Sequence, residues 1–401
     1  MKINFMKTGY LFRTFPQLSQ TFINNEIDEL ERTGYETVLA AMYRPGEGIH
    51  PSLTGLERRT LYWHDIDKRC LPRIIKANIH CLLRFPMAYI RLLRKNGENA
   101  GRWLKKVMLA EFFLSSGVRH IHTHFAWEQV DMLRFIQELT GIPYSLTMHA
   151  ADIFSETHNL PQAINGAAFA LTISEYNRRY LIENQAIPPE KIHVVHCGVK
   201  IEDFPETRRT RNSPPVLLSI GRMVEKKGFD IFLKGLAILK EKGLQFTARI
   251  IGDGPLLSEL KEMRNQLGLE EIVNFTGPLP HEAVKAALSQ CDVFVLACRQ
   301  GKNEDIDGIP VVLMEAMACS VPVVSTRISG IPELCADECG YLAVPENPAD
   351  LAEGMEKILC AAPALYEVMG KNAREKIVHD FTLQGQARGL LSHIEACFIH
   401  A

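Results

Sequence analysis

The chain has 401 residues, a formal net charge of −2, and 46% apolar against 23% charged residues. That composition excludes a disordered chain, and the near-neutral balance excludes a general pull toward nucleic acid. A single core rarely grows to this length, so two domains are expected.

From the start of the chain, apolar runs at 3–10, 37–43, 120–125, 144–149, 169–174 and 193–195 predict buried strands. The segments between them carry apolar residues at helical spacing, such as Phe22, Ile23, Ile27 and Leu30. Such alternation predicts a parallel sheet covered by helices. After the first strand comes the turn FRTFPQLS, where Ser19 suits the cap of a helix beginning near Thr21. Lys68 to Lys106 holds eleven Lys and Arg against one acid, Glu98, so the rest of the chain carries −12. Within it, residues 69–106 interleave Leu, Ile, Phe, Tyr and Trp103 with the cations, and Pro72 and Pro86 divide them into short helices. A basic amphipathic segment of this kind fits an anionic membrane surface. A helical pair packed on its domain with a solvated basic face fits the same pattern.

Residues 205–215 (PETRRTRNSPP) are polar, proline-flanked and without periodicity, and predict a linker. Beyond it the pattern restarts, with strands predicted at 216–220, 247–251, 273–276, 293–297 and 321–325. Helices are predicted at 229–242, 256–267 and 383–399. The expected division is therefore 1–205, linker 206–215, 216–382, and a C-terminal helix 383–401 that could pack back on the first domain. Ten scattered cysteines without a Cys-x-x-Cys pair point to free thiols in a reducing compartment, with Cys291 and Cys319 as core fillers. No signal-peptide pattern and no apolar run of about 20 residues is present, so a cytosolic placement is expected, free or peripheral on the membrane.

Three stretches of the second half carry chemistry. In Asp307–Ala318 (DGIPVVLMEAMA), Pro310 suits the start of a helix whose first amides, on Val311 and Val312, would favour an anion. Glu315 lies one turn in, where an ionised carboxylate can accept from ribose hydroxyls, although a buried helix with one capping acid fits as well. The loop GRMVEKKG after the strand at 216–220 places Arg222 and Lys227 at a strand's carboxyl end, beside Gly221. Gly252 opens a third strand-to-helix turn, GDGP. Neither a Walker loop nor a G-x-G-x-x-G occurs, which argues against ATPases and dehydrogenases.

Together, GRMVEKKG, IIGDGP, FTGPLP and DGIPVVLMEAMACSVPVVSTRISGIPEL resemble the retaining glycosyltransferases of the GT-B fold, family-4 type (group 1). FPQLSQTFINNEI, HTHFA and TMHAADIF extend the likeness to the first half, closest in look to colanic acid and exopolysaccharide transferases. The resemblance implies two Rossmann-like domains facing across a deep cleft. It implies a nucleotide-sugar donor (UDP- or GDP-sugar) and a saccharide or polyprenyl-diphosphate-linked saccharide acceptor. Arg222 and Lys227 would hold the diphosphate, with Gly221, Gly252, Leu279, Ile309 and the amides of Val311 and Val312 around the donor. The family's Glu-x7-Glu pair becomes Asp307 and Glu315, one methylene shorter at the first acid. His149 would stand beside the reacting sugar, with Ser19 and His124 as further residues on the acceptor or sugar side. No metal or other cofactor is expected, and the Asp305-Ile306-Asp307 triplet is read as coincidence with a metal motif. A sugar-nucleotide 2-epimerase of the same architecture and a non-catalytic nucleotide-sugar-binding partner are the competing readings.

Overall fold

The alternation of apolar runs and amphipathic segments builds two all-parallel sheets. The computed structural model describes residues 7–17, 20–46, 53–95, 97–155, 160–204, 206, 210–302, 305–336 and 338–399. The chain divides into two units: the first takes residues up to Thr172, Arg178–Val195 and those from Ala387, and the second takes Ile173–Asn177 and His196–Gln386.

The first unit's sheet holds β1 (Lys7–Thr14), β2 (Glu36–Tyr43), β3 (Leu61–Tyr62), β4 (Val118–His124), β5 (Tyr144–Met148), β6 (Phe169–Thr172) and β7 (Ile192–Val194), in the order β3-β2-β1-β4-β5-β6-β7. The order reverses between β1 and β4, and in such sheets the loops leaving the strands at the reversal form the binding crevice. The first strand was expected at 3–10. Among the described residues it runs from Lys7 and continues four residues past the expected end, because Leu11 and Phe12 are also buried and β1 pairs with β2 as far as Thr14. Residues 1–6 and Ser19 lie outside the described residues. The helix Thr21–Arg32 does begin where expected, with Gln20 at the cap position and no side-chain cap bond. From Ala387 the helix Leu383–Ile399 belongs to this unit, with Leu390, Leu391 and Ile394 in one apolar cluster with Tyr10, Phe12 and Leu171.

In the second unit β8 (Val216–Ile220), β9 (Thr247–Ile251), β10 (Val273–Gly277), β11 (Val293–Val295), β12 (Val323–Thr326) and β13 (Gly340–Ala343) run in the order β10-β9-β8-β11-β12-β13, reversing between β8 and β11. β13 escapes periodicity because it is four residues long and opens on glycine. A Cβ on Gly340 would lie 2.0 Å from the Val323 carbonyl oxygen, so the strand contact itself demands the glycine. Two described residues of the segment expected as a linker are tied to this unit: Asn212 bonds Asp292 through both its amide groups, and Arg211 binds the Leu359 and Ala361 carbonyls. Val195 and His196 fall in different units.

Residues 69–106 form the helices Leu71–Arg84 and Pro86–Lys95 and the start of Ala100–Ser115. Ile74, Ala77, Cys81, Tyr89, Leu92 and Trp103 face the core. The outward face is not simply basic: Leu71, Ile75, Ile79, Leu83, Met87, Ile90 and Leu93 are exposed among Arg73, Lys76, Arg84, Arg91 and Arg94.

Candidate functional site

In the second unit, the loops leaving β8, β9 and β10 are stitched to one another. Gly221 N–H donates to the Ile251 carbonyl at 3.0 Å, Met223 N–H to that of Asp253 at 2.8 Å, and Gly252 N–H to that of Gly277 at 3.0 Å. Gly252 sits at φ +136°, where a Cβ would lie 2.0 Å from the Gly221 oxygen, so glycine is what lets these loops touch. Gly228, at φ +64°, is held against Ala297 at the end of β11, its Cβ position 1.8 Å from that carbonyl oxygen. Motifs far apart in sequence thus gather at the carboxyl ends of neighbouring strands.

The basic loop meets the acidic one there. Lys227 Nζ lies 2.7 Å from Asp307, and Lys226 Nζ lies 2.8 Å from Asp305 and 3.3 Å from Asp307. Burial works against the Lys227 charge, but Asp307, with smaller contributions from Cys298 and Asp305, holds the ammonium above its ordinary pKa. Burial likewise opposes the Asp307 charge, and Lys227 and Lys226 together still hold its pKa below the usual carboxylate value. Both groups are therefore ionised before any ligand arrives. Lys226 went unremarked in the sequence, although it stands next to Lys227. Arg222 is exposed and makes no ion pair among the described residues. Arg299 braces the loop: its N–H donates to the Lys226 carbonyl and its guanidinium to the Glu225 carbonyl, both at 3.0 Å.

Pro310 stands at the cap of the helix Val311–Ala318 with φ −64°. The N–H groups of Val311 and Val312 open this helix, where no intrahelical carbonyl reaches them. Glu315, partly buried, follows one turn later. Burial lifts its pKa from 4.5 to about 7, with Lys285 opposing and Asp203 adding to the rise. Lys285 and Asp203 are themselves paired at 3.2 Å. Ile309 is buried beside this helix start, and Leu279 is partly buried on the turn after β10.

In the first unit, period-two alternation puts His120, His122 and His124 of β4 on one face, beside Ser145 and Thr147 of β5, with His122 opposite Ser145 and His124 opposite Thr147. His149 follows β5, and its Nε2 lies 3.1 Å from His124 Nδ1, so the structure brings these two predicted residues together. His124 Nε2 in turn lies 3.0 Å from Glu26 of the helix Thr21–Arg32. Burial, with His124 adding to it, pushes the His149 pKa well below 6.5 against the opposing charge of Glu26. Asp152 clamps the loop ends, accepting from the N–H of His149 at 2.7 Å and of Ala126 at 2.8 Å. Sequence reasoning missed Glu26 and Asp152, though both lie inside quoted motifs, FPQLSQTFINNEI and TMHAADIF. Phe125 is held at φ +67°, a strained conformation for an aromatic residue, and stacks on Trp127 at 4.2 Å. A cavity of about 200 Å³ lined by Arg13, Gln17, Gln20, His124 and Trp127 lies at the ends of β1 and β4.

Residues 19–203 match the model of Glycosyltransferase Family 4, and residues 200–376 match that of Glycosyl transferases group 1. WcaL of Escherichia coli, named for colanic acid biosynthesis, is 31% identical over 98% of this chain and all of its own length. AmsK of Erwinia amylovora, an amylovoran biosynthesis glycosyltransferase, is 30% identical over 97% of this chain and 99% of its own. Among solved structures, a glycosyltransferase of Rickettsia africae superposes with TM-score 0.73 at 16% identity, covering 99% of this chain and all of its own. HepE of Anabaena in complex with UDP superposes with TM-score 0.71 at 16% identity over 98% of this chain and all of its own. The chain has the GT-B fold and belongs to the group 1, family 4 glycosyltransferases.

Proposed function

We propose that the protein transfers a sugar from a nucleotide-sugar donor, with retention of anomeric configuration, to a saccharide of a bacterial surface polysaccharide. The observation that carries this reading is the charged Lys226–Lys227–Asp307 constellation at the strand ends of the second unit, in the unit that also offers the Val311 and Val312 amides and Glu315. Lys227, the two amides and Arg222 would stabilise the charge developing on the departing diphosphate. Asp307 would accept from a donor-sugar hydroxyl, and Glu315 from the ribose pair. As the bond from the anomeric carbon to the diphosphate oxygen breaks, the acceptor oxygen bonds that carbon from the same face and its proton passes to the departing oxygen. Retention by this route needs no carboxylate base. It agrees with Asp307 being tied to two lysines and Glu26 being buried in hydrogen bonds. His149 would stand beside the reacting sugar.

Asp305 and Asp307 are engaged by Lys226 and Lys227, which supports transfer without a metal. Incubation of the purified protein with UDP- and GDP-sugars and a saccharide acceptor should release nucleoside diphosphate, and EDTA should leave the rate unchanged. A rate abolished by EDTA and restored by manganese would overturn the metal-independent reading. Failure of every donor to bind would overturn the nucleotide-sugar reading.

The outward face of the helices Leu71–Arg84 and Pro86–Lys95 supports docking on the cytoplasmic surface of an anionic membrane, where a polyprenyl-diphosphate-linked acceptor would be met. Monomers rarely expose so many large apolar side chains side by side, and interleaved cations add attraction to lipid phosphates. No helix of the described residues is long and apolar enough to cross a membrane. The protein should sediment with anionic vesicles and not with neutral ones. Binding should weaken with salt, since surface charge is screened over about 8 Å at physiological ionic strength. Replacing Arg84, Arg91, Arg94 and Lys95 with Ser should release it while sparing hydrolysis of the donor. No sedimentation of the wild type with either vesicle type, and little change in the substituted protein, would show a face that does not bind lipid.

A further inference from the structure

The proposal for His149 leaves open what the ring offers the sugar, and the buried groups behind it decide that. Glu26 Oε1 lies 3.0 Å from His124 Nε2 and accepts from the Tyr10 hydroxyl at 2.9 Å. His124 Nδ1 lies 3.1 Å from His149 Nε2. Glu26 and His124 are 2% and 1% exposed, so bulk water does not compete for these bonds. The His149 ring is held between Phe22 and Phe125, each 4.7 Å away by ring centroids, while Asp152 fixes its backbone. Its place is therefore set by packing, and only the proton positions are left to choose.

We propose that Glu26 and His124 are positioning residues that hold His149 as the Nε2–H tautomer, leaving Nδ1 as a hydrogen-bond acceptor for a hydroxyl of the sugar substrate. An ionised carboxylate can only accept, so His124 must carry a proton on Nε2, facing Glu26. With that one ring proton, His124 presents a bare Nδ1, and the bond to His149 forms when His149 Nε2–H donates. Burial keeps His149 neutral, which leaves its Nδ1 unprotonated. No bond to Nδ1 is made among the described residues, and this nitrogen is not among the sealed, unpartnered polar atoms as His120 Nδ1 is.

A metal ion offers another use of this cluster, since ligand atoms of Glu26, His122 and His124 lie within 4.8 Å of one another. The geometry favours the relay. Glu26 and His124 are already in direct hydrogen-bond contact. Both ring nitrogens of His122 are taken up by hydroxyls, Nδ1 by Ser145 at 2.7 Å and Nε2 by Thr147 at 3.0 Å.

The inference rests on the reading of His149 as a sugar-side residue, and its test separates the two. The full-length protein labelled with ¹⁵N-histidine should show, in long-range proton–nitrogen correlation, a His149 ring protonated at Nε2 and bare at Nδ1. Its signal is assigned by its loss in His149→Gln. Glu26→Gln introduces an amide that can donate to His124 Nε2, reversing both bonds. Its His149 signal should move toward the Nδ1–H tautomer, and kcat should fall on the order of ten- to a hundredfold, by analogy with residues that orient metal-bound histidines. Donor KM should change little, and Glu26→Asp should restore the tautomer and part of the rate. A wild-type His149 carrying Nδ1–H, a folded Glu26→Gln with tautomer and kcat unchanged, or a stoichiometric metal in the purified protein would each overturn the relay. If Glu26→Gln does not fold, the wild-type spectrum still decides. A correct tautomer with full activity in His149→Gln would instead remove His149 from the sugar site and leave the relay standing.

Discussion

Lys227→Ala should lower turnover at saturating donor by about 10²–10³-fold, the equivalent of about 2.7–4 kcal/mol for one lost contact to developing charge. The substitution has a second effect that must be separated from the first. Lys227 Nζ lies 2.7 Å from Asp307, so its removal leaves a largely buried carboxylate compensated by Lys226 alone, at 3.3 Å. Breaking a buried pair from one side costs about 3–5 kcal/mol, and Lys226 should keep the loss below that range. The double variant Lys227→Ala/Asp307→Asn removes the stranded charge, so chemical denaturation should show stability largely recovered. Turnover should stay low, because the contact with the diphosphate is still missing. Recovery of turnover together with stability would mean that Lys227 serves the fold and not the reaction.

Glu315→Gln should abolish donor binding and, at the same time, stabilise the unliganded protein at alkaline pH. The native pKa is lifted from 4.5 to about 7, so folding costs free energy wherever the carboxyl is ionised in the unfolded chain. The sign is opposite to that of a salt-bridged acid: the group is neutral and costs nothing below about pH 4.5, and the penalty grows as pH rises toward 7 and is constant above it. Its ceiling is about 3 kcal/mol, from the shift multiplied by about 1.36 kcal/mol per unit. Denaturation of the two proteins should therefore coincide near pH 4.5 and separate by pH 8, with the glutamine variant the more stable. Donor-induced thermal shifts of the wild type should grow as pH passes through 7, because the ionised form accepts both ribose hydroxyls. A wild-type shift independent of pH, or a glutamine variant that binds donor normally, would show that Glu315 does not face the ribose. A residue that lowers stability where it is ionised is what a binding carboxylate awaiting its ligand looks like.

Much of this was legible along the chain. Strands β8 and β9 and the helix Leu383–Ile399 lie at their predicted residues, since each is an uninterrupted periodic run bounded by turn residues. The loops GRMVEKKG, GDGP and FTGPLP were also visible, because a glycine after an apolar run marks a strand-to-helix turn whatever surrounds it. Periodicity reports which face of one element is apolar, and nothing about which element meets it. The engagement of Asp307 by two lysines about 80 positions upstream, with Arg222 left exposed, follows from the order of strands β8 and β11 and from Gly228 allowing close approach to Ala297. The relay from Glu26 through His124 to His149 joins three elements across 123 positions, and it exists because β4 and β5 pair in a register that places His124 opposite Thr147. The apolar stripe on the helices Leu71–Arg84 and Pro86–Lys95 was hidden for the same reason. Ile74 and Ile75 are adjacent and chemically alike, and only the packing of the helix decides that one is in the core and the other faces outward. Residue types and spacing therefore determined the elements and their candidate chemistry, while side-chain partners and exposed faces were decided by strand order and register.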